Sequence, residues 1–467
     1  MRHFSLREQA PSILVATLSA AFGTALLQVV AALALTLERN DVTGSSTRTL
    51  PLLLNTVAFV FIAIAVYVGA VVTANTFATI IAGRTRTIAL LRLIGSSASA
   101  QRRSVAREGL LVGLIGAIVG TLLGTALTWA LLTIAAARGT IPTLPYSYLL
   151  PQLALPFVGV VLTTWLASWI GSRRVLVVTP MQAIGAAEEL SRDETVARRG
   201  RNAVAITLFI VGVALLLLGV VVGLVTPLGV LIGLVGGIIS FSGLVAGAHL
   251  VMPPALRLVG RLFGRSASAR LAAENAVRYP ERSSRTTIGL VIGVTLVTMF
   301  AVAIGGYEQI VQQAQAAQPE TYQGVTTELT VTVTVFSVLT GFSALIAAVG
   351  MVNNLSLSVL QRTRELGLLR ALGFTARQVR QMILVESAQL TAAAVIVGLI
   401  LGGFYGWAGA QSLLGSINGS AGIVVPVFPG LVIGIIVVAA AVLTLVASVA
   451  PSRRATRIAP VAALAVE

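Results

Sequence analysis

The sequence predicts an all-α polytopic membrane protein with about ten transmembrane helices in a 4+2+4 order, the two fours being parallel, pseudo-symmetric repeats. Three observations carry this. The chain is 56% hydrophobic and 10% charged, with a mean hydropathy of +0.95, whereas a soluble domain carries about 25% charged residues. It holds many apolar runs as long as the roughly 20 residues a helix needs to cross a hydrocarbon core. A basic, leucine-rich pattern that starts near residue 84 also returns 278 residues later.

Ten runs qualify as spans: 11–37, 53–80, 108–137, 153–171, 203–224, 228–252, 286–306, 329–358, 384–411 and 427–450. Several exceed one bilayer thickness, which tilt or a stalk beyond the membrane accounts for. The first is too long for the apolar region of a signal peptide and reads as a span. With the N-terminus inside, 29 of the 32 arginines fall on inner segments, and only Arg39, Arg48 and Arg138 fall outside. Of the 16 acids, Glu38, Asp41, Glu308, Glu320 and Glu328 are outer. The positive-inside rule therefore predicts cytoplasmic N- and C-termini. The net charge of +16 reads as this topological bias. Arginines in short clusters between spans do not describe a nucleic-acid surface. The outer loops 38–52, 138–152 and 412–426 are short, and 307–328, rich in Gln and Glu, has room for a short helix. None is long enough to fold as a soluble domain.

Residue types that are missing exclude much chemistry. Cysteine is absent, which rules out disulfides, thiolate metal sites and thiol nucleophiles. The two histidines, His3 and His249, are too far apart in sequence to suggest a metal cluster. Every basic residue is arginine. Without lysine there is no Walker A motif and no Schiff base. No pattern suggests a general acid, a nucleophile or a bound cofactor, so the chain is not expected to be an enzyme by itself.

The repeat is legible residue by residue. At an offset of 278, Arg84, Thr85, Arg86, Leu90, Leu91, Arg92, Gly95, Ala98, Arg102 and Glu108 return as Arg362, Thr363, Arg364, Leu368, Leu369, Arg370, Gly373, Ala376, Arg380 and Glu386. Ten identities in 25 positions exceed the roughly two or three that biased composition supplies. The same offset carries Asn75 onto Asn353, Gly120 and Gly124 onto Gly398 and Gly402, and Trp129 onto Trp407. Ser172-Arg173-Arg174 returns as Ser452-Arg453-Arg454 at an offset of 280. Each half thus has four spans of the same sense, a parallel repeat. The fifth and sixth spans turn tightly near Pro227 and have no counterpart.

The two inserts are the candidate functional elements. Arg362, Arg364, Glu365 and Arg370 alternate with Leu366, Leu368 and Leu369, and the run closes at Gly373. It reads as a short helix with a glycine stop, followed by a second helix from about Thr375 that enters the ninth span. Such a helix either lies among lipid headgroups or inserts its apolar ridge into a groove on a partner. Two matching copies favour the partner. Asn75 and Asn353 read as interhelical contacts, and Gly120, Gly124, Gly398 and Gly402 as close-packing points. Glu108 and Glu386 are expected at span starts, paired with arginines and favoured by the helix dipole, and His249 at the membrane interface. With no acid or arginine in mid-span, ion-coupled transport has no residue to carry it.

The stretch Asn353…Gln361-Arg-Thr-Arg-Glu-Leu-Gly-Leu-Leu-Arg-Ala-Leu-Gly373, with Gln378 to Glu386, resembles the signature of FtsX-like permease domains. These are membrane subunits of MacB-type (type VII) ABC transporters. The tail from Pro451 to Leu464 resembles the family's closing motif, and Ala273 to Arg278 with Arg285 its elbow helix. The first copy is degenerate, with Thr87 where the second has Glu365. The resemblance implies repeats over 1–185 and 254–467, a cytoplasmic linker over 186–202 and a two-helix hairpin over 203–253. It implies coupling helices at 84–95 and 362–373, seated on two copies of a cytoplasmic ABC ATPase that binds ATP and Mg. The expected setting is the bacterial inner membrane. The expected activity is movement or extraction of a hydrophobic or amphiphilic substrate in contact with membrane lipid. The alternative is a relay of ATPase motion to an extracytoplasmic lipoprotein or cell-wall hydrolase. The chain departs from the family in lacking a large outer domain, so docking to an outer-membrane duct is not expected.

Overall fold

The computed structural model describes residues 6–40, 49–83, 85–138, 146–148, 150–173, 199–261, 274, 280–317, 372–416 and 422–457. These residues form eleven α-helices and one short 3-10 turn, Pro151–Leu153. Eight of the helices are long and apolar enough to cross a membrane, and α11 contributes a shorter apolar stretch, Gly430–Val442. The fold is all-α and polytopic, as the sequence predicts. The expected eighth span, 329–358, lies outside the described residues.

The chain divides into two compact units. The first holds α1 (Leu6–Asn40), α2 (Thr49–Gly83), α3 (Thr85–Leu93), α4 (Ala98–Ala137) and α5 (Ala154–Gly171). Here α1 packs along α4 and α2, and α5 packs against α4 and α2. Glycines set the spacing. A Cβ added at Gly116 or Gly120 would collide with Ala16 and the Thr17 carbonyl, and one at Gly124 would stand 2.5 Å from the Ala21 oxygen. Close backbone approach of this kind is how helices associate where burial from water contributes nothing.

The second unit holds α6 (Arg199–Gly223), α7 (Gly229–Ala246), α8 (Ala248–Gly260), α9 (Pro280–Ala317), α10 (Ala376–Leu414) and α11 (Gly430–Arg457). Its α9–α10 pair repeats the device of α1 and α4. A Cβ at Gly398 would stand 2.7 Å from Val294 Cβ, at Gly402 2.7 Å from the Thr295 oxygen, and at Gly406 2.5 Å from the Met299 oxygen. The glycine that meets Thr17 is Gly120, whereas the one that meets Thr295 is Gly402. Relative to the 278-residue offset, α10 therefore sits one helical turn further along α9 than α4 does along α1.

The α6–α7 hairpin interlocks through glycine, with Gly219 against Gly233 and Gly223 against Gly229. It docks on α10 alone. A Cβ at Gly223 would stand 2.5 Å from Ser412 Cα. The Ser240 and Tyr405 hydroxyls are 2.9 Å apart, and the Phe241 ring meets Tyr405 edge-on at 6.0 Å.

Three expectations are corrected. The sixth span ends at Ala246, and 248–260 form a separate helix, α8. His249 is buried there, its Nε2 2.8 Å from Asn202 Oδ1 of α6, instead of lying at the interface. Glu108 and Glu386 are not at helix starts, because α4 and α10 begin ten residues earlier, at Ala98 and Ala376. The dipole acts only over the first turn. What holds Glu108 is α1, whose Gln9 Nε2 donates to Glu108 Oε2 at 3.0 Å.

Candidate functional site: the insert between α2 and α4

The first insert is a nine-residue helix, Thr85-Arg-Thr-Ile-Ala-Leu-Leu-Arg-Leu93, closed by a glycine turn. Gly95 has φ +98°, a conformation that favours glycine. Ser96 N–H donates to Leu91 O at 2.9 Å across the turn, the long bond of a Schellman stop. Ser97 then caps α4 by accepting from Ala100 N at 3.2 Å. The second half repeats the junction 278 residues on. Gly373 has φ +100°. Thr375 caps α10 in a reciprocal box with Gln378, accepting from its N–H at 3.3 Å and donating its own N–H to Oε1 at 2.9 Å. The glycine stop and the helix beginning after it are where the sequence places them.

α3 has two unlike faces. Its inner face, Ile88 and Ala89, is buried against Ile81 of α2, with Val105 of α4 packed alongside. That contact fixes the short helix to the ends of two long ones. Its outer face leaves Leu90 50%, Leu93 52% and Ile94 81% exposed. Leu91 is half-buried. The two leucines singled out by the repeat are thus not equivalent: Leu90 points outward and Leu91 is partly tucked in. Sequence reasoning missed the buried Ile88–Ala89 pair and the outward Leu93 and Ile94. The alternation of buried and open apolar residues within one turn was the available signal.

The base of α4 is fastened on its other side. Arg102 lies 4.0 Å over the Trp169 ring. Its Nε donates to Ser172 Oγ at 3.3 Å and its Nη2 to the Trp169 carbonyl at 3.2 Å. A guanidinium at the last turn of α5 meets the negative end of that helix. Displacement of α3 therefore loads α2, α4 and, through Arg102, α5 as a group.

Arg86 and Arg92 lie on α3. Arg84, Arg362, Arg364, Glu365, Leu366, Leu368, Leu369, Arg370 and Asn353 lie outside the described residues. At the end of the second insert, Leu372 and Phe374 are exposed on either side of Gly373. Asn75 is half-buried on α2. Gly120, Gly124, Gly398 and Gly402 make the close helix approaches described above. Among the described residues, no group of three or more His, Asp or Glu could hold a metal ion.

The chain matches segments of three ABC transporter permeases. One, YknZ of Bacillus subtilis, is 36% identical over 81 residues, 17% of this chain and 20% of the relative. YtrF of the same organism is 32% identical over 59 residues, 13% and 14% of the two chains. MJ1507 of Methanocaldococcus jannaschii is 38% identical over 71 residues, 15% and 18%. The chain therefore spans a fifth or less of each relative's length. A family model, FtsX-like permease C-terminal, matches residues 59–180 and again 337–460. The two matches start 278 residues apart and end 280 apart, the offsets of the internal repeat. With both regions matched, and together more than half of the chain, this protein belongs to the FtsX-like permease family.

Proposed function

We propose that this chain is the permease subunit of an ABC transporter complex, driven by two copies of a separate cytoplasmic ATPase. The single observation that carries the reading is the outward ridge of α3. Leu90, Leu93 and Ile94 stand exposed on a helix whose other face is bolted to α2 and α4. A rigidly mounted apolar ridge is the shape that seats in a groove of a partner. The segment 362–373 is its counterpart in the second half. ATP and Mg belong to the ATPase, since the chain has no lysine for a Walker A motif. In this reading 1–185 and 254–467 are the two permease repeats, joined by the linker 186–202 and the hairpin 203–253. Both termini are cytoplasmic and the setting is the bacterial inner membrane. Motion of the repeats acts on a hydrophobic or amphiphilic substrate within the bilayer.

The test is co-purification and ATPase stimulation. Charge reversal at Arg364, or a helix-breaking change at Leu368 or Leu369, is expected to abolish stimulated hydrolysis while leaving the chain monodisperse. Undiminished stimulation in those variants refutes the coupling role of the insert.

A further inference from the structure

The outer face of the second unit carries a feature that the coupling machinery does not use. Between α10 and α11 the backbone runs extended from Gly422 to Pro429. Ile423 is 84% exposed, and Val425 and Phe428 also face outward. Side chains of α10 satisfy the main chain of this segment. Gln411 Nε2 donates to the Gly422 carbonyl at 2.7 Å, and Gln411 Oε1 accepts from Val424 N–H at 2.7 Å. Trp407 Nε1 donates to the Val424 carbonyl at 3.0 Å. Gly422 N–H reaches Gly415 O at 2.8 Å. Pro426 and Pro429 have no N–H to satisfy. Irregular backbone is tolerated at membrane depth only when its polar groups are matched by protein in this way.

Directly below this cap, α11 carries an open trough of about 640 Å³. Gly434 and Ala439 floor it, and Leu431, Ile435, Val438 and Val442 wall it. A Cβ at Gly434 would meet nothing within 4 Å. From Leu431 to Val442 the helix rises about 16 Å, close to the roughly 15 Å of one leaflet's hydrocarbon. No charged residue occurs between Glu386 and Arg453. The occupant is therefore long, narrow, apolar and recognised without ion pairs.

We infer that the trough on α11, under the 422–429 cap, seats one acyl chain of an outer-leaflet phospholipid. The leaflet assignment rests on the orientation proposed above; the trough does not. An acyl chain fits the floor of small residues between branched walls, and the cap's matched backbone lets the chain's upper end lie in a water-poor layer.

The test uses the full chain in phosphatidylcholine–phosphatidylglycerol vesicles doped with a phosphatidylcholine bearing a diazirine on its acyl chain. After irradiation, label is mapped by peptide mass spectrometry. The reference is the open face of α6, where Ile210 and Val221 are exposed to ordinary bilayer lipid. Label on 431–442 is expected to exceed that on α6 by about tenfold, a preference of 1.4 kcal/mol. Gly434→Phe with Ala439→Phe fills the trough and is expected to bring α11 down to the α6 level with α6 unchanged. Gly434→Phe alone enters open space and serves if the double variant does not fold. Equal label on α11 and α6, or label undiminished by filling, overturns the site in favour of ordinary annular lipid. The chain has no native cysteine, so Ser147→Cys reports orientation by reaction with an impermeant maleimide on intact cells. Reaction only from the cytoplasmic side overturns the leaflet assignment and the proposed topology together, while loss of the α11 contrast overturns the trough alone.

Discussion

Truncating the outward ridge of α3 should separate docking from folding. Fully burying a leucine or isoleucine side chain is worth about 1.5–3 kcal/mol. Only the part still exposed in the free chain remains for a partner to cover. Ile94 keeps 81% of its surface open, so Ile94→Ala removes at most about 2 kcal/mol of binding, roughly 30-fold in Kd. Leu90 and Leu93, at 50% and 52%, carry about 1 kcal/mol each. The triple alanine variant then loses about 4 kcal/mol, near 10³-fold. None of the three should cost the permease more than about 0.5 kcal/mol of stability, as for other exposed positions. Ile88→Ala is the opposite case. Ile88 is 6% exposed and packs on Ile81 and Val105, so truncation should destabilise the fold by about 2–5 kcal/mol. The assay is titration of the purified ATPase against the permease in nanodiscs, with stimulated hydrolysis and thermal unfolding measured on the same samples. If the triple variant binds within twofold of the unmodified chain, α3 is not the docking ridge.

Three further outcomes follow from the same geometry. Gly95→Ala and Gly373→Ala each force a side chain into a positive-φ conformation and should destabilise by about 1–2 kcal/mol, read as a fall in unfolding temperature, although nothing lies within 4 Å of either added Cβ. Gly402→Val drives a side chain into the Thr295 carbonyl and should cost about 1–3 kcal/mol or more by prising α10 from α9, measurable as a lost cysteine cross-link between those helices. For the hairpin, Tyr405→Phe removes only the bond to Ser240 and should cost about 0.6 kcal/mol, whereas Gly223→Val meets the Ser412 backbone and should loosen the hairpin enough to expose α7 to limited proteolysis.

The fold was legible wherever local chemistry writes itself into residue type. A glycine seven residues after a Thr-Arg pair, followed two positions later by Ser97 or Thr375, is a stop and a cap, and both halves show it. The spans were legible from length and apolarity. The glycine stripes were legible as packing points, but not their contact register. Side-chain identity repeats at 278, whereas the contacts of α10 on α9 are one turn displaced, and a sequence alignment carries no information about sliding between two helices. His249 was misplaced because a histidine near a span end looks the same whether it meets water or Asn202, 47 residues away in the chain. On α3, Leu90, Leu91 and Ile88 are chemically alike. Only the positions of α2 and α4 decide which are buried and which remain for a partner. The docking of the α6–α7 hairpin on α10 depends on pairs such as Ser240–Tyr405, separated by 165 residues, with no local signal at either end.

That hairpin also constrains how the chain can be threaded into a bilayer. α6 and α7 run antiparallel, with Gly212 beside Ser240 at one end of their contact and Gly223 beside Gly229 at the other. Together they return the chain to the side it left, and the helices that follow keep their sense. Either helix alone would invert everything downstream. Arg377, Arg380, Arg453, Arg454 and Arg457 would then sit on the far side of the membrane, and carrying arginine through the bilayer centre costs about 2.5–3.5 kcal/mol per residue. A connector between two repeats of like sense must hold an even number of crossings. The hairpin can be gained, lost or exchanged only as a whole, and parity sets that limit independently of how tightly its glycines interlock.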